Sequence, residues 1–208
     1  MLTMHKTPQV PGSTERIVPR VVALAASAGG IQALSHVLAA LPPGFPAAVV
    51  VLQHLSEQSP HVMADIFARR SVLPVAEARA GDVLTPGRVF VAPPGRHLLV
   101  EPEGILALSD ALPVHFVRPA ADLLFASLAE SLGTRAIAVV LSGSGLDGAD
   151  GVKVIKGHGG RVLVQDRATS EVFGMPRAAA DTGCADRVLP LQEIAPVLID
   201  LVGQKEEA

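Results

Sequence analysis

The chain has no tryptophan, no tyrosine and only six phenylalanines in 208 residues. Its core must therefore be built from Ala, Val, Leu and Ile. A nucleic-acid reader normally shows a basic stripe with stacking aromatics. Here the aromatics are missing, no run of basic residues occurs, and the formal net charge is −3. No apolar run approaches the roughly 20 residues needed to span a bilayer. The opening MLTMHKTPQVPGSTER lacks the apolar centre of a signal peptide. Cys184 is the sole cysteine, so no intramolecular disulfide can form, and a cytoplasmic location is expected. Internal repeats and low-complexity blocks are also absent. These absences argue against a nucleic-acid partner and against membrane insertion.

What is present describes a folded domain. Apolar residues make up 49 % of the chain, too many for disorder, and 19 Gly with 17 Pro punctuate many short elements. The length suits one domain. We expect it over residues 18–203, with a flexible tail at 1–17 and a short C-terminal tail at 204–208. Val21–Ala25, Ala47–Leu52 and Ala136–Leu141 are continuous apolar runs of strand length, the pattern of parallel strands covered on both faces. A fourth strand is expected at Arg161–Gln165. Helices are expected after Gly29-Gly30, after Ser59-Pro60, over about 120–132, up to about Lys156, after the turn Gly174-Met175-Pro176-Arg177, and over about 191–202. Arg88–Ala92, His97–Glu101 and Ile105–Leu108, separated by PPGR and PEG, read as antiparallel hairpins. The pattern predicts a doubly wound α/β fold, with a mainly parallel sheet, flanking helices and an antiparallel hairpin insert at one edge.

Three reactive side chains share one address in such a fold. Ser27 follows the strand VVALA, His54 follows AAVVVLQ, and Asp147 follows AIAVVLSGSGL. The carboxyl ends of parallel strands face a common crevice. Ser, His and Asp are the set required for a nucleophile, a general base and an orienting acid. Each also has a plainer reading: Ser27 and Asp147 as helix caps, and His54 as a hydrogen-bonded histidine at a strand end. Gly29-Gly30 lacks the spacing and the partners of a nucleotide loop, and DGADG lacks the spacing of a calcium loop. His36, His61 and His158 read as surface residues, and Cys184 as a packed small residue. His97 and His115 flank the hairpin region.

At these motifs the chain resembles the catalytic domain of CheB-type protein-glutamate methylesterases of bacterial chemotaxis. ALAASAGGIQAL, VVVLQHL, VFVAPPGRHLLVE, VRPAADLLFASLAE, VVLSGSGLDGADGV and VFGMPRAA occur in the family's order across nearly the whole chain. The resemblance implies a serine hydrolase that removes methyl esters from chemoreceptor glutamates. Ser27 is then the nucleophile, His54 the base and Asp147 its partner. Backbone N–H groups around Ala28 and in the loop containing Ser144 and Gly145 are the expected oxyanion donors. No metal or organic cofactor is required. Some members also deamidate receptor glutamines.

The chain departs from the family pattern at Ala28, where Thr is common, and at Ser144, where Met is common. Family enzymes commonly carry an N-terminal receiver domain. About twenty residues precede the first strand here, so a stand-alone enzyme is expected, active constitutively or through a regulatory protein in trans. Arg69, Arg70, Arg96 and Arg118 are candidates for steering acidic receptor segments. The alternative reading is a catalytically silent chemosensory binding module with the same fold.

Overall fold

A computed structural model describes residues 19–203, so both expected tails lie outside the described residues. A seven-stranded, wholly parallel sheet runs through this region. Its strands are β1 (Val21–Ala26), β2 (Ala48–Gln53), β3 (Val75–Glu77), β4 (Val89–Val91), β7 (Ala136–Val140), β8 (Arg161–Gln165) and β9 (Arg187–Leu189), in the order β3-β4-β2-β1-β7-β8-β9. The remaining two, β5 (His97–Glu101) and β6 (Ile105–Ser109), form a separate antiparallel pair.

The inner strands β1, β2, β4 and β7 are buried on both faces, and their residues divide between the faces with period two. Val21, Ala23 and Ala25 of β1 pack with Leu124, Phe125 and Leu128 of α3 (Ala121–Leu132) and with Val152 and Ile155 of α4 (Ala149–Gly157). Val22, Leu24 and Ala26 face the other way. They pack with Leu34 and Leu38 of α1 (Gly30–Ala40), Phe67 of α2 (Met63–Ala68), and Ile194 and Leu198 of α6 (Leu191–Gly203). The helix α5 (Gly174–Asp181) adds Met175 and Ala179 to the α3 side. A chain short of aromatics fills this core with alanines at the close approaches, among them Ala23, Ala25, Ala121 and Ala138.

One expectation is overturned. The segment Arg88–Ala92 is not part of a hairpin: Val89–Val91 pairs in parallel with both β2 and β3 inside the main sheet. Val89, Phe90 and Val91 are all buried, which is the signature of a two-faced parallel strand and not of a half-exposed hairpin. The antiparallel hairpin itself, β5–β6, leaves the sheet and lies on α3. There the Val100 N–H donates to Ser127 Oγ at 3.1 Å, and Ser131 Oγ–H donates to the Val100 carbonyl at 2.7 Å. The short strands β3 and β9 are additions to the expected set.

The order of strands positions the site. From β1 the chain builds outward through β2 to β4 and β3, then crosses back to build β7, β8 and β9 on the other side of β1. The direction of winding therefore reverses between β1 and β7. In parallel α/β sheets, such a reversal opens a crevice at the carboxyl ends of the strands.

Candidate active site

Ser27 and His54 come from adjacent strands. β1 and β2 run in register to the pair Ala26–Gln53, and the His54 N–H donates to the Ala26 carbonyl at 2.9 Å. Ser27 and His54 are the next residues on the two strands, which in a sheet lie about 4.8 Å apart. Buried Gln53 ties the two together. Its side-chain amide donates to the Ser27 carbonyl at 2.8 Å and to the His54 carbonyl at 3.1 Å. The Ser27 N–H donates to the Ser142 carbonyl at 3.0 Å, fixing the serine to the end of β7.

Ser27 is not a helix cap. The residue before α1 is Gly29, in the left-handed conformation with φ 73°, and no side chain caps that helix. Gly29 permits the tight turn, and the turn leaves the serine hydroxyl uncommitted. Among the described residues Ser27 Oγ makes no hydrogen bond, so the expected link from Ser27 to His54 is not formed in this structure.

The expected link from His54 to Asp147 is present. His54 Nε2 and Asp147 Oδ2 are 2.7 Å apart, and both side chains are largely buried. An ionised carboxylate only accepts, so Nε2–H is the donor in this pair. Asp147 is held from the other side by α3. The Ala121 N–H donates to Oδ2 at 2.6 Å, and the Asp122 N–H donates to Oδ1 at 3.0 Å. Burial opposes ionisation of Asp147. The hydrogen bonds from His54 and from the two α3 amides outweigh it and hold the carboxyl below its usual range. These amides open a helix, whose dipole also favours an anion.

Asp147 does not cap α4 either. That task falls to Asp122, whose Oδ1 accepts from the Gly148 N–H at 2.9 Å and the Gly151 N–H at 2.7 Å. Asp122 thus serves the start of α4 while Asp147 serves the start of α3. Burial pushes the Asp122 carboxyl above its usual range; the Gly151 amide pulls the other way, and the nearby Asp147 charge adds to the rise.

The loop after β7 completes the crevice. Gly143 donates to the Val172 carbonyl at 2.9 Å, and its own carbonyl accepts from the Gly174 and Met175 amides at 2.9 and 2.8 Å. Buried Ser142 donates its N–H to Gln165 Oε1 at 2.8 Å and its hydroxyl to the Ala28 carbonyl at 2.8 Å. A Cβ on Gly143 would lie 2.4 Å from Met175 Sδ and 2.9 Å from Ser27 Cβ, so only glycine fits between them. Ala28, Ser144 and Gly145 are exposed at this mouth, and their N–H groups have no hydrogen-bond acceptor among the described residues.

Sequence reasoning missed Gln53, Asp122 and Met175. Gln53 adjoins His54 in the run VVVLQHL, and a polar residue at the end of an otherwise apolar strand was its signal. Met175 reads as part of a helix start and turns out to pack against the glycine beside Ser27.

The other candidates are placed elsewhere. His97 is fully buried, with Nδ1 accepting from the Ala120 N–H and Nε2 bonded to the Leu112 carbonyl, each at 3.1 Å, so both ring nitrogens serve the scaffold. Arg96 is paired with Asp110, and Arg118 with Glu57, while Arg69 and Arg70 are exposed at the end of α2. Cys184 is half-buried and free.

Known proteins resemble this chain in sequence and in fold. The protein-family model for CheB methylesterase matches residues 22–198. A protein-glutamate methylesterase/protein-glutamine glutaminase 2 of Anaeromyxobacter dehalogenans is 50 % identical over 181 residues, covering 87 % of this chain and 53 % of that protein. The protein-glutamate methylesterase FrzG of Myxococcus xanthus is 43 % identical over 182 residues, covering 88 % and 54 %. The chain thus spans about half the length of these relatives. Among solved structures, the CheB methylesterase catalytic domain of Thermotoga maritima superposes with a TM-score of 0.84 at 36 % identity, covering 89 % of this chain and 100 % of that one. With the family model matching residues 22–198 and the fold shared over 89 % of the chain, the chain belongs to the CheB methylesterase family.

Proposed function

We propose that this chain is a serine hydrolase that removes methyl esters from glutamate side chains of chemoreceptors, with Ser27, His54 and Asp147 as its catalytic residues. The observation that carries the reading is the buried His54–Asp147 hydrogen bond at 2.7 Å, on a histidine whose strand neighbour is Ser27. It commits Nε2 to the carboxylate and leaves Nδ1 as the ring nitrogen that can act as general base.

In the first step Ser27 Oγ attacks the ester carbonyl carbon, and its proton passes to His54. The negative charge that develops on the carbonyl oxygen meets the free N–H groups of Ala28, Ser144 and Gly145. The tetrahedral adduct collapses by breaking the bond to the methoxy oxygen, which takes the proton from His54 and leaves as methanol. Water then attacks the acyl-serine with His54 again as base, giving the glutamate carboxylate and restoring Ser27. Asp147 stabilises the imidazolium in both steps. Ala28 and Ser144 offer backbone donors, so the departures from the family's Thr and Met leave this scheme intact. The same steps on a glutamine side chain release ammonia in place of methanol, which accommodates the glutaminase named in relatives.

The proposed setting is the cytoplasm, with methyl-accepting receptors as protein substrate and a regulatory protein acting in trans. No described helix is long and apolar enough to cross a membrane.

The test is methanol and ammonia release from methylated receptor membranes, assayed separately. Ser27→Ala is expected to abolish release while circular dichroism and thermal melting stay near wild type. Unchanged release by the variant would overturn the assignment.

A further inference from the structure

Behind the proposed catalytic aspartate, three side chains converge that the esterase chemistry does not use. His115, Asp122 and Asp150 each offer one donor atom, and the three atoms lie within 4.8 Å of one another. They come from three separate pieces of the fold: a tight turn ahead of α3, the first turn of α3, and the first turn of α4.

Asp122 shows what the cluster lacks. Its side chain is only 9 % exposed. Oδ1 is satisfied by the Gly148 and Gly151 amides, but buried Oδ2 has no hydrogen-bond partner. His115 Nε2 stands 3.1 Å from Oδ2 without the alignment of a hydrogen bond. In a hydrogen bond the acceptor sits along the ring N–H direction. Two ligands of one ion sit off each other's axes instead. With bonds of about 2.0–2.2 Å to a shared Zn²⁺-sized ion, neighbouring ligands lie about 3.0–3.5 Å apart. The separation and the misalignment together match a pair of ligands on one ion better than an ion pair.

The other two donors can reach the same point. His115 and Phe116 occupy the centre of a two-residue turn with φ of 50° and 65°. It is closed by reciprocal hydrogen bonds between Val114 and Val117 at 3.1 and 2.9 Å, and it presents the imidazole to the start of α3. Asp150 is paired with Lys153 at 2.7 Å, but both side chains are more than half exposed. Such a surface pair is weak, so the carboxylate can exchange the lysine for a metal. A surface cavity of about 500 Å³ bordered by His115, Asp150, Lys153 and Leu146 provides a path for entry.

We propose that His115, Asp122 and Asp150 bind one divalent transition-metal ion. One imidazole and two carboxylates suit Zn²⁺, Co²⁺ or Mn²⁺, and the absence of thiolate disfavours softer ions. Three protein ligands leave room for water. The ion takes no part in ester cleavage. It braces Asp122, whose N–H holds Asp147 Oδ1 and whose Oδ1 holds the start of α4. The proposal stands independently of the esterase reading.

The test uses the full chain, stripped of metal with a chelator. Zn²⁺ is titrated calorimetrically, and Co²⁺ is followed by its visible absorption. One saturable site per chain is expected, with a higher melting temperature in Zn²⁺. His115→Ala and Asp150→Asn each lower the affinity at least tenfold and abolish the thermal shift. Both residues are exposed, His115 at 42 % and Asp150 at 69 % of the side chain, so the variants keep their fold, which circular dichroism checks. His61→Ala removes a surface histidine paired with Glu77 away from the cluster and leaves binding unchanged. No saturable binding, or binding that survives either ligand variant undiminished, overturns the proposal.

Discussion

Asp122 and Asp147 trade places at the starts of two neighbouring helices. Each carboxylate accepts N–H groups from the helix that the other precedes or begins, and only Asp147 is within hydrogen-bond reach of His54. The exchange explains why Asp147, one residue before a helix N-cap, is not spent on capping. On the proposed assignment, Asp147→Asn keeps the shape and one acceptor oxygen but loses the charge that fixes the histidine tautomer. It is expected to lower kcat by about 10³–10⁴-fold with little change in KM, measured by steady-state methanol release. At this scale the sequence was informative about some residues and silent about others. Ser27, His54 and Asp147 follow runs of apolar residues that can hardly be anything but buried strands, so their common address was readable. The role of Asp122 depends on a contact across 26 residues to Gly148, and nothing in the local pattern of α3 announces it. The absence of a Ser27–His54 hydrogen bond is a matter of side-chain placement, which a residue pattern does not encode.

Among the elements, α4 shows how one helix carries two kinds of glycine. At Gly151 a Cβ would stand 2.7 Å from Phe125 Cβ and 3.0 Å from Asp122 Cα, where α3 and α4 touch. At Gly157 nothing lies within 4 Å, and the backbone is not left-handed. Gly151→Ala is therefore expected to destabilise by about 1–3 kcal/mol through overpacking. Gly157→Ala is expected to stabilise by about 0.4–1 kcal/mol, because it restricts the unfolded chain without strain. Urea unfolding of the two variants beside wild type checks both signs. The long helices and the central strands were legible because burial imposes periodicity over many residues. β3, β4 and β9 have three residues each, too few to display a period. β4 reads as a hairpin strand because PPGR follows it just as PEG separates the true hairpin strands. What distinguishes it is burial on both faces, a property of its neighbours and not of its own three residues.

For the molecule as a whole, Asp186 is an electrostatic fastener between layers. It accepts from Lys156 of α4, from Arg161 at 3.4 Å and from the Val162 N–H of β8 at 2.8 Å. Burial raises its carboxyl pKa, but the Lys156 and Val162 hydrogen bonds and the two cations prevail and hold it below its usual 3.8. A folded value below the unfolded one means stability that is present above about pH 4 and fades as pH falls through the folded value. Asp186→Asn should thus be less stable than wild type near neutrality, with the gap closing below pH 4 in urea unfolding followed across pH. The overall topology was readable because alternating buried strands and helices leave few ways to wind a parallel sheet.

The position of β1 has a further consequence, for synthesis. β2 follows β1 closely, but its other partner, β7, begins at Ala136. While the chain is being made, one edge of a strand composed wholly of Val, Ala and Leu stays unpaired until some 110 further residues have left the ribosome. An unpaired apolar edge is a template for mispairing. The nascent chain is thus most in need of a chaperone over this stretch, and the two halves of the crevice come together only when β7 arrives.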